Sequence, residues 1–147
     1  MATEDIGLAD PHALPLAIAA RDAYEMLGSP EGELALAEAV VYLALAPKSN
    51  ALYTAYNRAR QKSAETSHLD PPLTILNAPT KLMKESGYGA DYQYDHDTPA
   101  GFSGQNYFPN TLDRQYFYHP VERGFEREMK KRMEYFTKLR SIYTQTT

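Results

Sequence analysis

Cysteine and tryptophan are both missing from these 147 residues. Without cysteine there are no disulfides, no thiolate metal sites and no cysteine nucleophile, and the composition suits a reducing compartment. Long apolar runs are missing too. No stretch reaches the roughly 18 apolar residues that a membrane span requires. The opening Met1-Ala2-Thr3-Glu4-Asp5 is acidic and is followed by no apolar signal core, so membrane and secretory readings fall away. Basic residues are scarce in the first third: residues 1–47 hold Arg21 alone against eight acids. The balance reverses to +3 over residues 48–87, returns to −3 over 88–119 and reaches +3 again over 120–147, within a net charge of −4. That total argues against a general polyanion-binding surface. The segregation allows acidic and basic parts to meet, within one chain or between copies, or simply to sit on solvated helix faces.

A single domain spanning 1–147 fits the length, and the periodicities point to helices. Asp10-Pro11 announces a first helix with Leu16, Ala20, Ala23/Tyr24 and Leu27 on one stripe, ended by Gly28. Pro15 threatens a distorted start by removing an early hydrogen bond. Ser29-Pro30 restarts the chain into Leu34–Ala46, apolar on nearly every side except at Glu38, which marks either a core helix or a subunit contact. Pro47 ends it, and Ser49-Asn50 caps a third helix running to about Ala64. Residues 66–79 read as a connector in which Leu73–Leu76 passes for a short extended segment. Asn77-Ala78-Pro79 then opens a two-turn helix closed by Gly87. Nine of the 17 aromatic residues crowd into 88–118 among Gly, Pro, Asn and Asp, with no single period. This is expected to be an ordered, ring-pinned loop region with one small strand pair at most. Phe125, Met129, Met133, Phe136, Leu139 and Tyr143 form one seam of a last helix, with Lys130, Lys131, Arg132, Lys138 and Arg140 away from it. The fold class is all-α with a long irregular aromatic segment.

Catalytic constellations do not emerge. There is no phosphate-cradling loop, no paired acid at a strand end and no helical pairing among His12, His68, His96 and His119. Asp95-His96-Asp97 reads as a solvated turn, because sequence neighbours point apart. The alternatives for Lys48, Asn50, Asn77, Lys81 and Lys84 are a polar patch for DNA or a partner, and plain capping and solvation. Arg123 and Glu126 suggest an i, i+3 pair at the start of the last helix.

Several blocks in order carry a resemblance: Glu4-Asp5-Ile6-Gly7-Leu8-Ala9-Asp10-Pro11, Val41-Tyr42-Leu43-Ala44-Leu45-Ala46-Pro47-Lys48-Ser49-Asn50, Asn77-Ala78-Pro79-Thr80-Lys81-Leu82-Met83-Lys84, Gly87-Tyr88-Gly89, Tyr107-Phe108-Pro109 and Arg123-Gly124-Phe125-Glu126. Together they resemble the C-terminal region of the RarA/MgsA replication-associated recombination ATPases, similar to the eukaryotic Werner-helicase-interacting ATPase. The match runs from about Ala2 to Leu139. Thr3, Ser86 and the residues between Pro99 and Gln105 depart from the pattern.

The resemblance implies a helical, clamp-loader-collar-like oligomerisation domain, separate from the N-terminal AAA+ module. ATP and magnesium are implied for that module, and no cofactor, metal or catalytic residue for this chain. It further implies homotetramer assembly, action at stalled forks and single-strand/duplex junctions through the whole protein, a possible single-strand-binding protein partner, and a cytoplasmic, nucleoid-associated place. Read with the residues, it marks Leu34, Leu36, Val40, Val41, Tyr42, Leu45, Pro47 and Asn50 as the candidate oligomer interface. Lys48, Arg58, Lys81 and Lys84 are the candidate DNA or partner patch, the alternative being a module that itself binds single-stranded DNA.

Overall fold

The computed structural model describes residues 1–146, with side chains through Tyr143. Two short turns, Ala2–Ile6 and Gly7–Ala9, lead into α1 (Ala13–Leu27), α2 (Glu31–Leu45) and α3 (Ala51–Glu65). A 3-10 turn at Leu73–Ile75, α4 (Lys81–Glu85), a second 3-10 turn at Asp95–Asp97 and α5 (Glu126–Thr146) follow. The fold is all-α, and no strand occurs among the described residues. The residues group into two compact units: 1–62 with 117–132, and 63–116 with the chain from 133 onward.

In the first unit the helix ends follow from local chemistry. Asp10 accepts the His12 N–H at 3.0 Å through its side chain and the Ala13 N–H at 3.2 Å through its carbonyl. Pro15 is the third residue of α1, where backbone amides have no intrahelical partner, so the expected distortion does not arise. At the far end Gly28 returns its N–H to the Tyr24 carbonyl at 2.8 Å with a φ of 65°. α2 begins with Glu31 and Glu33 near its positive end. Gly32 lies against α1 so closely that a Cβ there would sit 2.7 Å from Tyr24 Cα. Pro47 forces Ala46 into an extended conformation and stops the helix. Lys48 then closes it, its Nζ donating to the carbonyls of Leu43, Ala44 and Ala46 at 2.8, 3.2 and 2.6 Å. The cap of α3 is Ser49, whose Oγ accepts the Ala51 N–H at 3.2 Å, whereas Asn50 contributes only its backbone carbonyl, to Thr54.

Ile6, Ala13 and Ala46 form the apolar centre, flanked by Ala2 and Leu43. Beside them lies a fully buried carboxyl group. Glu126 accepts the Ser49 hydroxyl at 2.9 Å and the Val121 N–H at 2.8 Å on one oxygen, and the Tyr118 hydroxyl at 2.8 Å on the other. Its expected partner Arg123 instead donates to the Lys48 carbonyl at 3.0 Å. The reason is positional: Glu126 is the first residue of α5 and Arg123 precedes the helix, so the helical i, i+3 rule does not bring their side chains together. Burial, then the bond to Glu126, push the Tyr118 phenol well above its ordinary value. Gly124, at φ 50°, passes so close to the Ala9 carbonyl that any Cβ would overlap it, while Phe125 donates its N–H to that same oxygen at 2.8 Å.

In the second unit Thr80, not Asn77, caps α4 by accepting the Met83 N–H at 3.2 Å. Ser86 donates to the Leu82 carbonyl at 2.9 Å as that helix closes. Leu73–Ile75 forms a 3-10 turn rather than an extended segment, because the Pro72 and Leu73 carbonyls accept the Ile75 and Leu76 N–H groups at 3.2 and 3.1 Å; the Leu73 carbonyl also takes the distant Gly89 N–H at 2.7 Å. Where the sequence allows one small strand pair at most, a single side chain makes the link. Gln105 accepts the Gln93 N–H at 2.9 Å and donates to the Asp91 carbonyl at 2.6 Å, so the two stretches are tied without a ladder. Rings pin the rest: Phe102 meets Phe136 of α5 at 4.9 Å between centroids. Arg140, expected away from the seam, lies over the Phe102 ring at 5.3 Å and is half-buried.

Two substitutions test this packing. Glu126→Ala leaves one buried donor and two half-buried ones without their acceptor and lowers the unfolding free energy by about 3 kcal/mol in urea titration. Gly32→Ala sets a helix-propensity gain of about 1 kcal/mol against overpacking of about 1–3 kcal/mol on Tyr24. Because the blocking atom is backbone, overpacking wins, and thermal denaturation shows a net loss; a stabilised variant would contradict the close approach.

Candidate assembly surface on the second helix

The inward face of α2 is made of small residues. Gly32 and Ala39 are buried, as is Ala46 just beyond the helix, and Ala35, Tyr42 and Leu43 are half-buried along the same stripe. Apart from Leu43, which packs on the apolar centre, its large aliphatic side chains point away: Leu34 is 73% exposed, Val40 67%, Val41 59% and Leu45 82%. The core-helix alternative for Leu34–Ala46 is therefore set aside. Small residues let α1 and α2 approach closely, and that approach excludes Leu and Val from between them. Leu36 is at the margin of exposure, and α1 adds exposed Ile18, Met26 and Leu27. Single exposed aliphatics are ordinary, but several on one helix make this face the candidate assembly surface.

Part of this face is concave. A cleft of about 670 Å³ is lined by Asp10, Ala37, Glu38, Val41, Tyr42, Leu45, Ala46 and Pro47. At its polar edge the Tyr42 hydroxyl donates to Asp10 at 2.7 Å. Burial works to raise the Asp10 pKa, but the bonds from Tyr42 and from the His12 N–H, with His12 nearby, outweigh it and hold the carboxyl below its ordinary value. Asp10 on the Tyr42 hydroxyl, in turn, pushes that phenol up.

Of the residues marked from sequence, the cleft brings together Val41, Tyr42, Leu45 and Pro47. Leu34, Leu36 and Val40 lie elsewhere on α2, and Asn50 is an exposed residue just before α3. Asp10, Ala37, Glu38 and Ala46 were not marked. Asp10 carried a signal only as a helix-start residue, since nothing local pairs it with Tyr42 across 32 positions. The basic candidates divide between the units, Lys48 and Arg58 in the first and Lys81 and Lys84 in the second. Lys48 is engaged by three carbonyls, Arg58 is exposed on α3, and Lys81 lies 3.7 Å from Glu85. Among the described residues no helix is long and apolar enough to cross a membrane.

The profile of the family described as MgsA AAA+ ATPase C terminal matches residues 1–137. The chain is 50% identical over 147 residues to replication-associated recombination protein A of Coxiella burnetii, covering 99% of this chain and 33% of that protein. To the protein of the same name from Escherichia coli K12 it is 46% identical over 134 residues, 90% of this chain and 30% of the relative. To ATPase WRNIP1 of Dictyostelium discoideum it is 45% identical over 120 residues, 80% and 14% respectively. The chain thus spans about one third or less of the length of these relatives.

At the cleft edge, Tyr42→Phe removes a donor to Asp10. A group with a depressed pKa contributes stability above its unfolded value and loses it as pH falls through the folded one. Carboxyl-detected NMR titration therefore finds the Asp10 pKa of the variant shifted upward, toward the ordinary aspartate value, and a smaller loss of stability on acidification. An unchanged Asp10 titration would show that the bond does not set it.

Proposed function

Since this chain belongs to the MgsA AAA+ ATPase C-terminal family, we propose that it is the part through which a AAA+ ATPase of DNA replication and recombination assembles copies of itself, four to a complex. The observation that carries this reading is the set of large aliphatic side chains that α2 turns to solvent, Leu34, Val40, Val41 and Leu45, of which Val41 and Leu45 line a largely apolar cleft. Burying such side chains between copies contributes about 1.5–3 kcal/mol for each one fully covered, and assembly is the ordinary way a helix of this kind loses contact with water. The acidic balance of residues 1–47 and the basic balance of 120–147 give complementary charge for orienting one copy on another.

Within the parent protein the chain has no role in the chemistry. ATP and magnesium belong to the N-terminal module, and this part holds several such modules at fixed spacing while they bind and hydrolyse nucleotide. Contact with fork or junction DNA, and with a single-strand-binding protein, is then made by the assembled protein. Direct binding of single-stranded DNA through Lys48, Arg58, Lys81 and Lys84 is the weaker reading. The Lys48 ammonium is already engaged by three carbonyls, and Lys81 lies beside Glu85.

Sedimentation equilibrium decides the point. The chain is expected to sediment as a tetramer of 16.6 kDa protomers. The double substitution Val41→Glu with Leu45→Glu introduces charge on an exposed face, leaves the helical circular dichroism intact and weakens self-association at least tenfold. A wild-type chain that stays at the protomer mass at high concentration would refute the proposal.

A further inference from the structure

The irregular aromatic segment of the second unit builds a second cleft, of about 770 Å³, whose lining includes Ile75, Leu76, Gly89, Tyr92, Asp95 and Tyr107. Its walls are held by hydrogen bonds. Gly89 donates its N–H to the Leu73 carbonyl at 2.7 Å and adopts φ 71°. A Cβ at Gly89 would come within 3.3 Å of the Leu76 carbonyl, so glycine lets these two stretches lie close. The Gln105 amide brackets Tyr92 by bonding to its neighbours Asp91 and Gln93 at 2.6 and 2.9 Å. Ser103, itself buried, places two further groups: its N–H donates to Asp95 Oδ1 at 2.8 Å, and its hydroxyl lies 3.5 Å from the Tyr107 hydroxyl.

The chemistry of this lining has one sign. Asp95 is exposed, and the bonds from Ser103 hold its carboxyl below the usual aspartate range. Tyr92 and Tyr107 are about half-exposed and Ile75 presents apolar surface. No lysine, arginine or histidine is among the lining residues. Residues 88–119 hold four acids against Arg114 alone, and Arg114 donates to the carbonyls of Gly104 and Gln105 at 3.2 and 2.8 Å. His96 acts on Asp95 from outside the lining, so a phosphate or carboxylate entering here still meets the Asp95 carboxylate first. A cation on an apolar stem meets a carboxylate, tyrosine faces and an aliphatic floor.

We propose that this cleft receives a lysine or arginine side chain from a basic segment of a partner protein, with arginine preferred. The volume accommodates the side chain with flanking backbone. The guanidinium plane can stack on a tyrosine while its fork faces Asp95, which an ammonium cannot reproduce. The proposal is independent of the assembly reading, because no residue of α2 lines this cleft.

Saturation-transfer NMR on the whole chain with the peptide Gly-Ala-Arg-Ala-Gly tests it, using lysine, citrulline and glutamate peptides for comparison. Citrulline keeps the shape of arginine and removes its charge. The arginine peptide is expected to bind saturably, at least tenfold more tightly than the citrulline one, with no binding of the glutamate peptide. Asp95→Asn keeps an oxygen for the Ser103 amide and weakens the arginine peptide at least fivefold. Tyr92→Ala does so independently, and decides the matter if circular dichroism shows the first variant misfolded. Equal binding of the citrulline peptide, or unchanged binding by a folded Asp95→Asn variant, would overturn the proposal. So would binding of the oligonucleotide (dT)12 that Tyr92→Ala abolishes, which would reassign the cleft to nucleic acid. Sedimentation of both variants should match the wild-type chain, so failure here is distinguishable from failure of self-assembly.

Discussion

One buried carboxyl group organises the first unit. Glu126 has no exposed surface, and its oxygens collect donors from the turn before α3 and from the segment before α5. A polar group removed from water must find its partners inside the protein or cost several kcal/mol. The three bonds therefore make the positions of Ser49, Tyr118 and Val121 mutually dependent. Ser49 extends the dependence, since the same hydroxyl that donates to Glu126 accepts the first free amide of α3. Phe125 and Gly124, pressed against the Ala9 carbonyl, hold the start of α5 in the same register.

That arrangement accounts for what α2 presents outside. The buried apolar residues of the first unit are mostly alanines around Ile6, and the α1–α2 contact passes through a glycine. Close packing between small residues gains dispersion contacts but leaves no room for branched side chains. Leucines and valines of α2 other than Leu43 are left on the outer face. The compositional pattern, apolar all round, is compatible with a core helix or with a contact helix, and the small residues on the buried face leave Leu34, Val40, Val41 and Leu45 outside the core.

The helices were largely legible from local signals. Asp10-Pro11, Gly28, Pro47-Lys48-Ser49-Asn50 and Gly87 each act within a few residues of themselves, and the ends of α1, α2, α3 and α4 lie where those signals place them to within a residue or two. The errors share a cause. Asn77 was favoured as a cap by type, but Thr80 stands where the free amide of Met83 points. Arg140 falls away from the apolar seam by its spacing, yet its guanidinium lies over Phe102. Aromatic content marks an ordered segment, while Gln105 ties two of its stretches with a side chain that no periodicity reveals. The marked interface residues split in the same way: four line the cleft, and Asp10 joins them through a bond to Tyr42 that spans 32 positions.

Composition, spacing and motif order by themselves determined the helical class, most helix ends and the family, because each rests on interactions between residues close in the chain or on the pattern of the whole. Tertiary structure alone decided which face of α2 meets α1, that Glu126 is buried rather than paired with Arg123, and that the tyrosines and Asp95 wall a common cleft. Ser49 and Glu126 are 77 positions apart. Partners so distant are selected by the way close-packed elements bring polar groups out of water together, and no local period records that selection.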